Sequence, residues 1–415
     1  MKRDKNTPTN IYSKILAYNK EGNKRSLKFL GLTLYEKDSN ESYKTQKFLG
    51  GVVRTKNIRS IMSEKKYFEF LKIPFCVRTI ENSDVTYRIF GLLIKHVELA
   101  NVFYKKYLKN INIKFDDVYI LSANSGEIFL FCAYCLKPLL KKNHSKNPLF
   151  MACRKYHEDI LKLFYPEAHC ILIDKPFLKT KKHSWKILKH NFYLIFPSNY
   201  FYEFTNDICK LGINETHYLN NMAQVLGLSD KEYSKPNPII TKEVEESLFQ
   251  KIGFLNLNLE NFIIIAPEAQ TCKLLPRKFW EILIKKIQEN NIDVFLNVID
   301  ITNYIDKCKT TFLNYREIFL LSQKAKAVIS LRSGFSEVLT PIKIPNITIN
   351  TEFQKLDNLL FPIEKTMAAY SINKLPFVEN SLISEINANN FPNVEELVNN
   401  VLLEYEHKIR EVQKI

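Results

Sequence analysis

The sequence predicts an α/β protein of two successive doubly wound domains facing a cleft, with a basic appendage before them and a helix after them. Three observations predict it. From residue 116 onward, short apolar runs of strand length alternate with segments of helical period. That alternation halts at Ser234-Lys-Pro-Asn-Pro238, a polar stretch with two prolines, and then restarts. The length of 415 residues exceeds one ordinary core and suits two. The expected domains are an appendage over 1–60, a first α/β domain over 61–234, a second over 239–385 and a C-terminal helix over 386–415.

Taken in order, the appendage repeats Lys28-Phe-Leu-Gly31 as Lys47-Phe-Leu-Gly50, each followed by a short β-prone stretch at Leu32–Tyr35 and Val52–Arg54. From Asp84 to Asn110, Val85, Ile89, Leu92, Leu93, Val97 and Val102 recur at helical spacing and predict a helix. Strands are expected at Val118–Ser122, Leu149–Cys153, Cys170–Ile173 and Phe192–Phe196, with helices at Ser125–Lys141, Tyr156–Phe164, Tyr200–Leu211 and Tyr218–Leu226. Gly227 is expected to stop the last of these. Strands so short and continuous, each followed by a helix, indicate a parallel sheet covered on both faces.

After the linker, strands are expected at Phe262–Ala266, Val294–Val298, Ala327–Leu331 and, as the last, Ile347–Ile349. Helices are expected at Pro276–Asn290, at Tyr315–Lys324 behind an Asn314 cap, and from Ser333 to Leu339. Asn393-Val-Glu-Glu396 has the capping-box pattern, and the stripe from Val394 to Ile409 needs a surface to bury itself on. Packing across both domains is the expectation.

Composition narrows the function classes. Hydrophobic residues make up 46% and charged residues 25%, a globular balance. The longest apolar run, Ile128–Leu136, is half the ~18–20 residues that a membrane span requires. The N-terminal Met1-Lys-Arg-Asp-Lys5 has no apolar segment behind it, so a cytoplasmic location is expected. Eight cysteines sit mostly in apolar stretches, as reduced buried thiols would. Cys132 and Cys135 form a lone C-x-x-C without the second pair a structural zinc needs, and the histidines show no ligand spacing. No metal site and no cofactor is expected. The net charge of +16 concentrates in residues 1–60, with fourteen Lys/Arg against five Asp/Glu, and recurs in the run Lys175–His190. Solvated surface explains it, as does attraction to an anionic membrane face or to anionic substrates. Nucleic acid is disfavoured, because no recognition motif is present.

Ligands of doubly wound sheets bind beyond the carboxyl ends of the strands, so the loops directly after strands carry the candidate chemistry. The first is Ser122-Ala-Asn-Ser-Gly-Glu127. Asn124, Ser125 and Gly126 leave room for an acceptor, and Glu127 in the first helical turn could deprotonate a hydroxyl. It could equally complement the helix dipole. The second loop is Ala266-Pro-Glu-Ala-Gln-Thr-Cys-Lys273, where Lys273 could approach a diphosphate as a point charge. The third is Leu331-Arg-Ser-Gly-Phe-Ser-Glu337. Ser333 and Gly334 could offer backbone N–H groups to phosphate oxygens, Arg332 a fork of donors, and Glu337 a contact to a ribose or sugar hydroxyl. Internal pairing of Arg332 is the competing reading.

These three loops, in this order, resemble those of the heptosyltransferase-type family of inverting glycosyltransferases with the two-domain GT-B fold. Gly126-Glu127 stands where that family has Gly-Asp. Ala266-Pro267, Lys273, Pro276 and the helix through Phe279 resemble the opening of its second domain. Arg332-Ser333-Gly334-Phe335-Ser336-Glu337 is similar to its Asp-Ser/Thr-Gly-x-x-His turn, and Met222–Leu228 to the helix before its linker. The resemblance covers roughly residues 116–350. It departs at Glu127, Glu268, Leu274, Arg332 and Glu337, positions where the family's donor contacts lie, so it does not imply heptose.

The resemblance implies the fold, cleft catalysis and a nucleotide-sugar donor. The reading expected from it and the loops together is a metal-independent glycosyltransferase with the donor on the second domain and a glycan or lipid-linked acceptor on the first. Glu127 would be the general base. Lys273, Arg332, Ser333, Gly334 and Glu337 would hold the donor. Cell-surface polysaccharide synthesis at the inner face of the membrane is the setting expected. A nucleotide-sugar epimerase of the same fold and a non-catalytic polyanion binder are the alternatives.

Overall fold

The computed structural model describes the strands between residues 16 and 98 and, with short gaps, residues 114–173, 184–195, 217–298 and 305–414. The chain divides into two compact units. One is built on residues 1–113, the other on residue 114 onward apart from two short insertions.

The first unit carries a nine-stranded antiparallel meander in sequence order: β1 (Leu16–Glu21), β2 (Lys24–Phe29), β3 (Leu32–Ser39), β4 (Tyr43–Phe48), β5 (Val53–Arg59), β6 (Ser63–Phe70), β7 (Ile73–Glu81), β8 (Asp84–Ile89) and β9 (Leu92–Glu98). The repeated Lys-Phe pairs close β2 and β4, the stretch Leu32–Tyr35 opens β3, and Val53 and Arg54 open β5. The sequence places a boundary at residue 60, but β6 to β9 continue the same sheet beyond it.

The helix expected over Asp84–Asn110 is corrected: its first fifteen residues hold β8 and β9, paired antiparallel. The apolar spacing Val85, Ile89, Leu93, Val97 is four residues, which fits a strand's period of two as well as a helix's period of 3.6. The β-branched and aromatic content of Val85-Thr-Tyr87 decides for the strand.

The second unit holds two parallel sheets. The first has β10 (Asp117–Leu121), β11 (Leu149–Ala152), β12 (His169–Leu172), β13 (Ser184–Ile187) and β14 (His190–Ile195), in the order β12-β11-β10-β14-β13. Only β13 is antiparallel. The second has β15 (Phe262–Ala266), β16 (Asp293–Leu296), β17 (Lys309–Thr310), β18 (Ala327–Leu331), β19 (Asn346–Asn350) and β22 (Ile383–Asn387), all parallel, in the order β17-β16-β15-β18-β19-β22. A separate two-stranded ribbon pairs β20 (Phe353–Gln354) with β21 (Leu360–Phe361). In both parallel sheets the strand order reverses beside the first strand, which creates a switch point where loops diverge and leave a crevice.

The helices are α1 (Ser125–Leu130) and α2 (Leu136–Lys142), joined by a π-helical turn at Phe131–Cys135, then α3 (Lys155–Phe164), α4 (Tyr218–Val225), α5 (Lys242–Ile252), α6 (Arg277–Gln288), α7 (Tyr315–Ser322), α8 (Gly334–Val338), α9 (Ile363–Tyr370) and α10 (Val394–Val412). Gly227 ends α4 with φ +68°, as the stop signal predicts. Asn314 forms a complete capping box with Glu317, and Asn393 caps α10 by accepting from the Glu396 N–H.

Several elements escape the sequence reading, among them β13, α5, α9 and β22. Helix α5 lies just after the linker, with Val244, Leu248 and Ile252 buried at every fourth position. Strand β22 follows the strand expected to be the last, because Ile383-Ser-Glu-Ile-Asn387 carries only two apolar residues. The helix expected over Tyr200–Leu211 and most of the basic run Lys175–His190 lie outside the described residues.

A single apolar cluster runs through both halves of this unit, joining Tyr119, Phe129 and Leu161 to Phe262, Ile264, Phe319 and Val328. A second lies on the other face of the second sheet. Leu397, Val398 and Val401 of α10 join that second cluster with Phe279, Leu283 and Ile347. The expectation that α10 packs across both halves is therefore corrected. Its buried residues Leu397, Val398 and Val401 pack on α6 and the second sheet.

Candidate functional site

Two helix starts meet at the centre of the second unit. The loop after β10 delivers Asn124 to Glu127 into α1, and the loop after β18 delivers Arg332 to Gly334 into α8. A Cβ built on Gly126 would stand 1.7 Å from Glu337 Oε2 and 3.3 Å from the Gly334 Cα. One built on Gly334 would stand 2.2 Å from Ser125 Oγ and 2.3 Å from the Gly126 nitrogen. At Gly334 the atoms met include backbone that no real Cβ approaches so closely, so only glycine permits the contact there, whereas at Gly126 the first atom met is the end of the Glu337 side chain.

The loop before α1 is braced from below. His157 is fully buried and its Nε2 lies 2.8 Å from the Ala123 carbonyl oxygen. Burial lowers the His157 pKa to about 4, so the ring is neutral and donates there. Under α8, Ser330 and Ser336 join their hydroxyls at 2.9 Å and Asn346 Nδ2 donates to the Ser336 carbonyl at 3.1 Å. Ser333 caps α8 by accepting from the Phe335 N–H.

Around this contact lies a crevice with a cavity volume of about 70 Å³. Asn124, Gly126 and Glu127 line it from the first half, and Arg332, Ser333, Gly334 and Glu337 from the second. Seven of the nine residues singled out from sequence are thus brought together. Ser125 sits at the contact itself, with its hydroxyl against Gly334. Lys273 is set apart: its ammonium is two-thirds exposed and pairs with Glu352 at 3.0 Å, while its neighbours Thr271 and Cys272 line the crevice instead.

Charge inside the crevice is dominated by three groups. Arg332 donates through Nη2 to Glu337 Oε1 at 2.8 Å and to the Tyr370 carbonyl at 2.8 Å, and through Nη1 to the Ser333 carbonyl at 3.1 Å. Both partners of the Arg332–Glu337 pair are buried. Glu127 is also buried, with a weak bond from Asn124 Nδ2 at 3.5 Å. Burial, and then the nearby Glu337 carboxylate, raise the Glu127 pKa to about 7. A carboxyl poised there can take and give a proton at neutral pH.

Sequence reasoning passes over Tyr218, Phe353, Thr366 and Tyr370, which complete the crevice wall. The rings of Tyr218 and Tyr370 meet with centroids 5.2 Å apart. No sequence signal marks them, since they reach the crevice from segments far apart in the chain. The C-x-x-C is a pair of buried free thiols, and burial holds both far above the ordinary thiol range. Among the described residues no three His, Cys, Asp or Glu side chains cluster as metal ligands would, and no helix is long and apolar enough to cross a membrane.

No protein-family model matches the chain, and no curated protein matches it. Among solved structures it is similar to the ADP-heptose lipopolysaccharide heptosyltransferase II of E. coli, at 10% identity over 70% of this chain and 99% of that one, with a TM-score of 0.45. It is similar to a family 9 glycosyl transferase from Veillonella parvula at 10% identity, over 72% of this chain and 99% of that one, with a TM-score of 0.46. It is also similar to the iron-containing dodecameric glycosyltransferase TibC of enterotoxigenic E. coli, at 14% identity over 72% and 81% of the two chains, with a TM-score of 0.42.

Proposed function

We propose that this chain is a glycosyltransferase that moves a sugar from a nucleotide-sugar donor to the hydroxyl of a glycan or lipid-linked acceptor. One observation carries the reading: Glu127, with a pKa of about 7, lines the same crevice as Arg332 and the start of α8, at the switch points of two parallel sheets.

In this reading Glu127 takes the proton from the acceptor hydroxyl as the oxygen attacks the anomeric carbon, and the nucleoside diphosphate leaves. Arg332 supports charge growing on the leaving phosphates. Three hydrogen bonds already hold its guanidinium, so it does not reorganise as that charge develops. The Ser333 and Gly334 N–H groups add to this, and Lys273 draws in the donor from the rim. No cofactor or metal takes part, so chelation leaves turnover unchanged.

The excess of positive charge supports work beside an anionic membrane face in the cytoplasm, where surface polysaccharides are assembled. A thermal-shift screen against a panel of nucleotide sugars tests the reading first. A shift with one donor class, followed by release of its nucleoside diphosphate only when acceptor is present, is the expected result. Epimerisation of the donor with no acceptor would point to the epimerase instead, and no shift with any donor would overturn both.

A further inference from the structure

Four hydrogen bonds from three consecutive residues converge on the carboxylate of Glu385 in β22. Ser371 Oγ donates at 2.5 Å, the Ile372 N–H at 3.1 Å, the Asn373 N–H at 3.3 Å and Asn373 Nδ2 at 3.1 Å. A carboxylate that accepts from successive backbone N–H groups pins a turn in one conformation. Glu385 itself does not line the crevice.

The turn it pins touches both halves of the unit. The carbonyl of Tyr370 accepts from Arg332 Nη2 at 2.8 Å, on the second half. The carbonyl of Ser371 lies 3.0 Å from Nε2 of His217, the cap of α4 on the first half. His217 Nδ1 accepts from the Leu219 N–H at 3.1 Å, so its ring proton sits on Nε2 and is donated to Ser371. Tyr218 follows His217, and its ring meets that of Tyr370 across the crevice wall.

From this chain of contacts we infer that Glu385 is a positioning residue: by fixing the 370–373 turn it sets Arg332, Tyr218 and Tyr370 in the arrangement that a nucleotide-sugar donor meets. The inference rests on the reading of the crevice as a donor site. In that site Glu385 acts at one remove, through two carbonyl oxygens.

The test uses the full chain with Glu385→Gln, an isostere whose amide group turns an N–H toward donors that need an acceptor. Hydrogen exchange of the Ile372 and Asn373 amides reads the turn without reference to activity. Donor binding and steady-state kinetics with the nucleotide sugar found by the thermal-shift screen read the crevice. Expected are faster exchange at both amides, a donor KM raised about tenfold and a kcat within about twofold, since Glu127 is untouched. Ser371→Ala keeps the carboxylate and two backbone bonds, so it is expected to fall between wild type and Glu385→Gln. It also serves if the glutamine variant fails to fold.

Unchanged exchange in both variants overturns the inference, as does faster exchange with unaltered donor KM. An equal fall in kcat, donor affinity and thermal stability would mark a merely structural carboxylate and overturn it too. If the wild type binds no nucleotide sugar, the donor-site reading fails and takes this inference with it, whatever the exchange data show about the turn.

Discussion

Gly126 and Gly334 meet backbone to backbone, so that a Cβ on the second would stand 2.3 Å from the amide nitrogen of the first. Two loops 208 positions apart in the chain are brought into contact here by a core shared between the two halves. The two substitutions to alanine are not equivalent. Gly334→Ala meets backbone, which cannot step aside, and should cost about 1–3 kcal/mol of stability by overpacking. Gly126→Ala meets first the end of the Glu337 side chain, which can swing away at the expense of its bond to Arg332. Denaturant melts should therefore rank Gly334→Ala as the less stable variant, and the opposite order would mean the contact is looser than described.

Glu127→Gln should abolish turnover and leave donor affinity within about twofold, because the amide keeps the shape and loses the proton acceptor. Isothermal titration with donor, set beside product release, separates the two. Retained turnover would remove Glu127 from the chemistry.

The rate of the wild type should rise with pH through a midpoint near 7, since Glu127 serves as a base only when ionised and its pKa is about 7. In kcat/KM this acid limb belongs to the free enzyme. A limb near pH 4.5 would mean that Glu127 is not held in the buried setting described.

Stability should follow the same groups with opposite signs. Glu127 has its folded pKa raised from 4.5 to about 7, so its contribution is present below 4.5 and is lost as pH climbs to about 7. His157 and His217 are lowered from 6.5 to about 4, chiefly by burial, so their neutral forms stabilise the fold above 6.5 and that support is lost on acidification toward 4. Together these three groups favour maximal stability near pH 6.5. Relative to wild type, Glu127→Gln should gain about 3 kcal/mol on going from pH 4.5 to pH 8, read from chemical denaturation at both pH values. A pH-independent difference would contradict the raised pKa.

Arg332→Ala should destabilise the protein by about 3–5 kcal/mol, because it strands the buried Glu337 carboxylate without its partner. Adding Glu337→Gln to it should restore part of that loss. In the glycosyltransferase reading, donor affinity stays low in the double variant. A double variant no more stable than the single one would show that the pair is not coupled.

The sequence by itself determined many of the local elements of the second unit, though not β13, α5, α9 or β22. Phe262–Ala266 and Ala327–Leu331 are strands with the bounds their apolar runs predict, and the caps at Asn314, Ser333 and Asn393 begin the helices expected of them. Continuous apolar runs and capping side chains act within a few residues, so they can be read locally. The four-residue spacing of Val85, Ile89, Leu93 and Val97 was ambiguous for the same reason: within one segment, nothing separates a period of two from a helical one.

Only the tertiary structure decided which loops share a crevice and in what ionisation state. It placed Glu127 and Arg332 together and set Lys273 aside with Glu352. It supplied Tyr218 and Tyr370, and it lifted the Glu127 pKa by burying that carboxyl beside Glu337. Desolvation and Coulomb terms depend on what surrounds a group in space, and that is settled by how the sheets pack, beyond the reach of spacing along the chain.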